Sequence, residues 1–174
     1  MRIGLFGGSF NPPHSGHLYI SLEAKKRLGL NQIWWLPTKQ NPLKKEKNSD
    51  FDERVKLCKK LINQNPQILV KGYEKKLNTV YTIDLLKRII KKYPGHQFFL
   101  VMGADSIINF HLWKNWQKII KLIPLVIFDR DDNFNLAKKS RAWLYNLKIN
   151  GKKSYFFKIK KVNISSTKIR ENNV

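Results

Sequence analysis

Two histidines three residues apart, His14 and His17, close the stretch Gly4-Leu5-Phe6-Gly7-Gly8-Ser9-Phe10-Asn11-Pro12-Pro13-His14-Ser15-Gly16-His17. The apolar run before Gly7 reads as a strand, and the two glycines let backbone N–H groups approach a ligand with no Cβ in the way. A helix begins near Ser15-Gly16, so the histidines share one face of its first turn. Exposed N–H groups and a helix dipole at a strand end favour phosphate, and both imidazoles can donate to phosphate oxygens. Metal ligation is the main alternative, but no Cys, Asp or Glu stands nearby to complete a zinc site, and the spacing is not the i, i+4 of a metalloprotease helix. A third reading leaves both rings satisfied by backbone carbonyls.

A second constellation lies near the other end, Asn163-Ile164-Ser165-Ser166-Thr167-Lys168-Ile169-Arg170. Three hydroxyl residues at a helix start are good caps. The same geometry offers O–H and N–H donors to an anion, with Arg170 three residues after Thr167 and able to point the same way.

Elements of alternating type must bring these segments together. Strands are expected at Arg2 to Phe6, Gln32 to Leu36, Ile68 to Lys71, Phe98 to Met102, Leu125 to Phe128, and near Tyr155 to Ile159. Several are continuous apolar runs, as in strands buried on both faces. Helices are expected at Gly16 to Leu28, along the Phe51, Val55, Cys58, Ile62 stripe, at Thr82 to Tyr93 before Pro94-Gly95, and along Trp116, Ile119, Ile120, Ile123 before Pro124. The alternation predicts an α/β fold of Rossmann-like, doubly wound type, a mainly parallel sheet with helices on both faces. Length favours a single domain over residues 1–174.

The 174 residues carry 34 Lys+Arg against 12 Asp+Glu, a net charge of +22. Such a charge suits an anionic ligand. Because the lysines are spread along the chain in pairs such as Lys25-Lys26 and Lys91-Lys92, the excess also fits solvated helix faces. One cysteine, Cys58, precludes a disulfide framework. No signal peptide or transmembrane run is visible, so a cytoplasmic protein with no membrane partner is expected. No recognised nucleic-acid motif accompanies the charge, and the aromatics follow core periodicities, so no nucleic-acid partner is expected.

The glycine–histidine stretch resembles the (H/T)-x-G-H signature of the nucleotidyltransferase superfamily, in the G-x-F-x-P-x-H-x-G-H form of bacterial nicotinate-mononucleotide adenylyltransferases. Ile164 to Arg170 resembles the superfamily's second signature, I-S-x-T/S-x-x-R. Phe99 to Ser106 ends in a turn resembling G-x-D-S, Gly103 to Ile120 resembles G-x-D-S…F-x-x-W, and Thr79 to Leu85 resembles S/T-Y-T-x-x-T/D-L. The likeness runs from Gly4 to Arg170.

This resemblance implies adenylyl transfer from ATP, with Mg²⁺, to nicotinate mononucleotide, giving deamido-NAD and pyrophosphate. By it, His14 and His17 hold the α- and β-phosphates, while Ile164, Ser165, Ser166, Thr167 and Arg170 form the segment that grips the leaving pyrophosphate. Gly7, Gly8, Ser9 and Phe10 supply backbone contacts, and Gly103 and Asp105 sit beside the ATP ribose. Tyr81, Thr82, Trp113 and the Lys114 backbone N–H face the nicotinate, and Lys44 reaches a phosphate. No resident metal site is implied, since the magnesium travels with the triphosphate.

Plain structural roles stay open for several of these: helix caps for Asp105 and Thr82, a core position for Trp113. The sequence departs from the family in the long loop, where Asn41-Pro42-Leu43-Lys44 stands for N-P-P-H-K, and after the fifth strand, where Arg130-Asp131-Asp132 stands for R-P-G. Sister enzymes acting on nicotinamide mononucleotide or phosphopantetheine share both signatures, but Thr79–Leu85 and Gly103–Trp113 argue against them.

Overall fold

The computed structural model describes residues 1–39, 49–129, 133–150, 153–160 and 164–171. In chain order the elements are β1 (Arg2–Gly8), α1 (Ser15–Leu28), β2 (Gln32–Pro37), α2 (Phe51–Ile62), β3 (Ile68–Val70), α3 (Tyr73–Lys76), α4 (Thr82–Lys92), β4 (Gln97–Gly103) and α5 (Ala104–Ile108). A short 3-10 turn at Phe110–Leu112 leads into α6 (Trp116–Leu122), β5 (Leu125–Asp129), α7 (Phe134–Lys138), α8 (Arg141–Asn150), β6 (Tyr155–Lys158) and α9 (Ser166–Glu171).

The strands form one six-stranded sheet in the order β3-β2-β1-β4-β5-β6, and every pairing is parallel. Side chains alternate across a strand, and the burial follows. Ile3 and Leu5, Trp34 and Leu36, Phe98, Leu100 and Met102, and Leu125 and Ile127 face a layer that includes α4, α5, α6 and α8. Phe6, Ile33 and Trp35, Phe99 and Val101, and Val126 and Phe128 face the layer of α1 and α2. With both faces covered, the strands must be apolar at every position, which is why they stand out in the sequence. The sheet is thus Rossmann-like and doubly wound, as expected.

The chain leaves β1 toward β2 and β3 on one side, then crosses to β4 on the other. Neighbouring βα turns therefore diverge between β1 and β4, opening a crevice at the carboxyl ends of these strands. Gly4 makes the close layer beneath it possible, since a Cβ there would lie 2.6 Å from Ile33 Cδ1.

Three helices lie outside the expected set: α3, α7 and α8. The reason is plainest for α8. Its sequence Arg-Ala-Trp-Leu-Tyr-Asn-Leu-Lys-Ile-Asn places apolar residues on all sides, and Leu144, Leu147 and Ile149 are exposed while Ala142 and Trp143 are buried. No single stripe marks such a helix. Among the described residues, no helix is long and apolar enough to cross a membrane.

Candidate active site

A cavity of about 800 Å³ occupies the crevice. Its floor is the carboxyl end of β1 and β4, from Phe6 to Ser9 and from Leu100 to Gly103. His14 and His17 form one wall with Ser165, Ser166 and Thr167, so the two ends of the chain share one space. Tyr81, Thr82, Trp113 and Lys114 stand at another wall, and Asp105 lines the rim after β4.

His14 is the N-cap of α1, with φ −149° and ψ 169°. Its Nδ1 accepts from the Gly16 N–H at 3.2 Å, and the Nδ1 of His17 accepts from the His14 N–H at 3.2 Å. The rings therefore satisfy the orphan donors of the helix start. Each Nδ1 thus takes a backbone N–H as partner. An Nδ1 that accepts leaves the ring proton on Nε2, so both Nε2 atoms are donors. This tautomer suits phosphate oxygens and opposes metal ligation through Nε2. The ring centroids lie 3.9 Å apart, close enough for both to serve one polyanion. Among the described residues no cluster of three or more His, Cys, Asp or Glu could hold a metal.

Gly7 and Phe10 set the turn between strand and helix. A Cβ at Gly7 would meet no protein atom within 4 Å, on a residue that lines the cavity. Phe10 takes a left-handed φ of 47°. Its ring is buried, stacked on Trp35 with centroids 4.9 Å apart and tilted on His17 at 4.7 Å. Ring burial of this kind, worth roughly 2–3 kcal/mol, holds the unusual backbone. Phe10 itself does not line the cavity, and neither does Ile164.

The carboxy-terminal segment docks on that turn. Ser166 Oγ donates to the Pro12 carbonyl at 2.8 Å and Arg170 Nη1 donates to the Asn11 carbonyl at 2.7 Å. Arg170 is not among the cavity-lining residues, and its guanidinium braces the loop through the Asn11 carbonyl.

Two capping alternatives raised by the sequence are corrected. The N-cap of α5 is Gly103, with no side-chain cap bond, and Asp105 lies in the first turn. The N-cap of α4 is Tyr81, again without a side-chain bond, and Thr82 is the first helical residue. A Cβ on Gly103 would sit 2.3 Å from Asp105 Oδ1, so the glycine makes room for that carboxylate. Trp113 is half-buried, its ring 4.8 Å from the buried Phe110, and one side lines the cavity. Lys114 Nζ lies 4.0 Å from the Tyr81 ring centroid, bridging two elements of that wall. Trp116 packs on the core edge-on to Tyr145, as its helical spacing predicts. Lys44 and Arg130-Asp131-Asp132 lie outside the described residues.

Two buried charged groups were missed in the sequence. Arg54 is fully buried, yet Phe51 three residues before it and Cys58 four after it put it on the buried stripe of α2. A basic residue on an apolar stripe was the signal. Burial lowers its guanidinium from the ordinary value, and the charges of Asp50 and Glu74 are among those opposing that shift. Glu74 is buried in the cavity wall, its Oε2 accepting the Lys39 N–H at 2.6 Å. Burial pushes this carboxyl up from 4.5 to about 7, against the Lys39 N–H bond and the Lys39 and Arg54 charges. Cys58 is inert by contrast, its buried thiol pushed up to about 12 by desolvation.

A family model described as cytidylyltransferase-like matches residues 5–172. A protein of Pelagibacter ubique named a probable nicotinate-nucleotide adenylyltransferase is 44% identical over 98% of this chain and 92% of its own length. One from Ruegeria with the same name is 41% identical over 82% of this chain and 75% of that protein. Among solved structures, the Plasmodium falciparum nicotinic acid mononucleotide adenylyltransferase complexed with NaAD superposes with a TM-score of 0.78, covering 98% of this chain and 82% of that one. At 21% identity that likeness concerns the fold. The chain belongs to the cytidylyltransferase-like nucleotidyltransferases and, among them, to the nicotinate-nucleotide adenylyltransferase family.

Proposed function

We propose that the chain transfers the adenylyl group of ATP to nicotinate mononucleotide, giving deamido-NAD and pyrophosphate. One observation carries this reading: the histidine pair and the serine–threonine turn line the same cavity as Tyr81 and Trp113. A triphosphate and a flat ring can therefore be held side by side. A phosphate oxygen of the acceptor attacks the ATP α-phosphorus in line, and the bond from that phosphorus to the bridging oxygen breaks. The acceptor is already an anion, so no strong base is required and no proton must move.

The obstacle is repulsion between two polyanions. Donors fixed before the reaction lower it without reorganising. The Nε2–H groups of His14 and His17 meet the α- and β-phosphates. Ser165, Ser166, Thr167 and the backbone of Gly7 to Ser9 hold the remaining oxygens. Arg170 keeps the loop in place through its bond to the Asn11 carbonyl. Asp105 accepts from ribose hydroxyls. Trp113 stacks on the nicotinate ring, and the Lys114 N–H meets its carboxylate. ATP enters as its magnesium complex, the ion held mostly by phosphate and water. We place the reaction in the cytoplasm, where the free thiol of buried Cys58 stays reduced, with small-molecule partners and neither nucleic acid nor membrane.

The test is pyrophosphate release from Mg-ATP with a panel of acceptors. Release with nicotinate mononucleotide well above that with nicotinamide mononucleotide or phosphopantetheine is expected. Equal or greater release with either rival would move the assignment to a sister enzyme.

A further inference from the structure

Arg54 makes an unusual set of bonds. Its Nε donates to the Ser49 carbonyl at 3.0 Å, Nη1 to the carbonyls of Ser9 and of Thr38, the latter at 2.8 Å, and Nη2 to the Lys39 carbonyl at 3.0 Å. A guanidinium with no exposure carries a desolvation cost of several kcal/mol. Here four carbonyl bonds offset it, and among the described residues no carboxylate is in salt-bridge contact with it. Two of the segments it grips, at Ser9 and at Thr38, belong to the site and line the cavity. The Lys39 backbone is held at both of its polar groups, its N–H by Glu74 and its carbonyl by Arg54. Thr38 N–H also donates to the Gly8 carbonyl at 2.9 Å. Ser49 Oγ donates to Asn11 Oδ1 at 2.7 Å, and Asn11 receives Arg170 through its carbonyl. The bonds run unbroken from Glu74 to the carboxy-terminal segment.

We propose that Arg54 is a positioning residue for adenylyl transfer, which together with Glu74 fixes the ends of β1 and β2 so that the glycine turn presents its donors at one place. This rests on the reaction proposed above. Arg54 touches no substrate; it acts through Ser9, Thr38 and Asn11. Lysine in its place keeps the charge but lacks the planar fork that reaches four carbonyls at once.

The experiment uses the full chain with Arg54→Lys and Arg54→Met, assayed well below their own melting temperatures. Misplacement of about 1 Å costs roughly 100-fold in rate. We expect kcat to fall at least ~10-fold in both variants while the KM values change less, and amide exchange at Thr38 to rise. A folded Arg54→Met chain with kcat within about twofold of the parent and unchanged exchange at Thr38 overturns the proposal. If neither variant folds, Glu74→Leu, which removes the acceptor for the Lys39 N–H and the carboxylate beside Arg54, must show the same fall in kcat and faster exchange at Lys39; parental values there overturn it equally. The exchange readout needs no turnover. Failure of the unaltered chain to release pyrophosphate would sink the proposed reaction, while parental exchange in the variants would sink the role of Arg54.

Discussion

Arg170 donates from Nη1 to the carbonyl oxygen of Asn11 at 2.7 Å, joining residues 159 positions apart. With the Ser166–Pro12 bond, it fastens the carboxy-terminal helix to the loop that leads into the histidine pair. The site is an assembly of chain ends over a sheet whose middle supplies the floor. Its chemistry depends on that docking more than on any one side chain.

Replacing His17 by alanine removes one Nε2–H from the phosphate wall. The expected loss in kcat is ~10²–10³, as for one donor in a preorganised anion hole. The helix start loses an acceptor for the His14 N–H as well, costing about 1 kcal/mol of stability. Steady-state kinetics beside a melting curve separates the two effects. A folded variant with near-parental turnover removes His17 from the phosphate role.

Trp113→Ala is expected to raise the KM for nicotinate mononucleotide roughly tenfold, on the scale of one lost stacking contact, with a much smaller change in the KM for ATP. Parallel rises for both substrates would mean that Trp113 serves the core alone, propped on Phe110.

Glu74 makes stability depend on pH in a definite sense. Its carboxyl is raised from 4.5 to about 7 in the folded chain. Below 4.5 it is protonated whether the chain is folded or not. As pH climbs toward 7 the unfolded chain releases the proton first, so the folded state loses ground; above 7 the loss is complete. The size is about 3 kcal/mol. Denaturant unfolding at pH 4 and pH 8 is expected to show the parent losing that much more than Glu74→Gln. Identical pH dependence in the two chains would contradict the buried, strained ionisation.

Much of the fold was legible because a parallel sheet covered on both faces forces continuous apolar runs. Phe98 to Met102 and Leu125 to Phe128 could hardly be anything else. The site was legible through two local motifs whose residues do stand together around one cavity: His14 and His17 with Ser165, Ser166 and Thr167. What escaped depends on tertiary partners. Arg54 is buried only because four backbone carbonyls from three segments converge on it, and Glu74 sits in a four-residue helix too short to leave a periodic trace. The capping alternatives left open for Asp105 and Thr82 fall to Gly103 and Tyr81. Asp105 and Thr82 are good caps by type, but both lie within the first turns of their helices, and both line the cavity.

The proposed reaction requires one triphosphate to be held at once by both ends of the chain. A crystal structure with an ATP analogue that cannot be cleaved at the α–β bridge tests it most directly. The predicted result places phosphate oxygens within hydrogen-bonding distance of His17 Nε2 on one side and of Ser166 or Thr167 on the other. A nucleotide bound elsewhere, or one touching the histidines with the serine–threonine turn left aside, would contradict it.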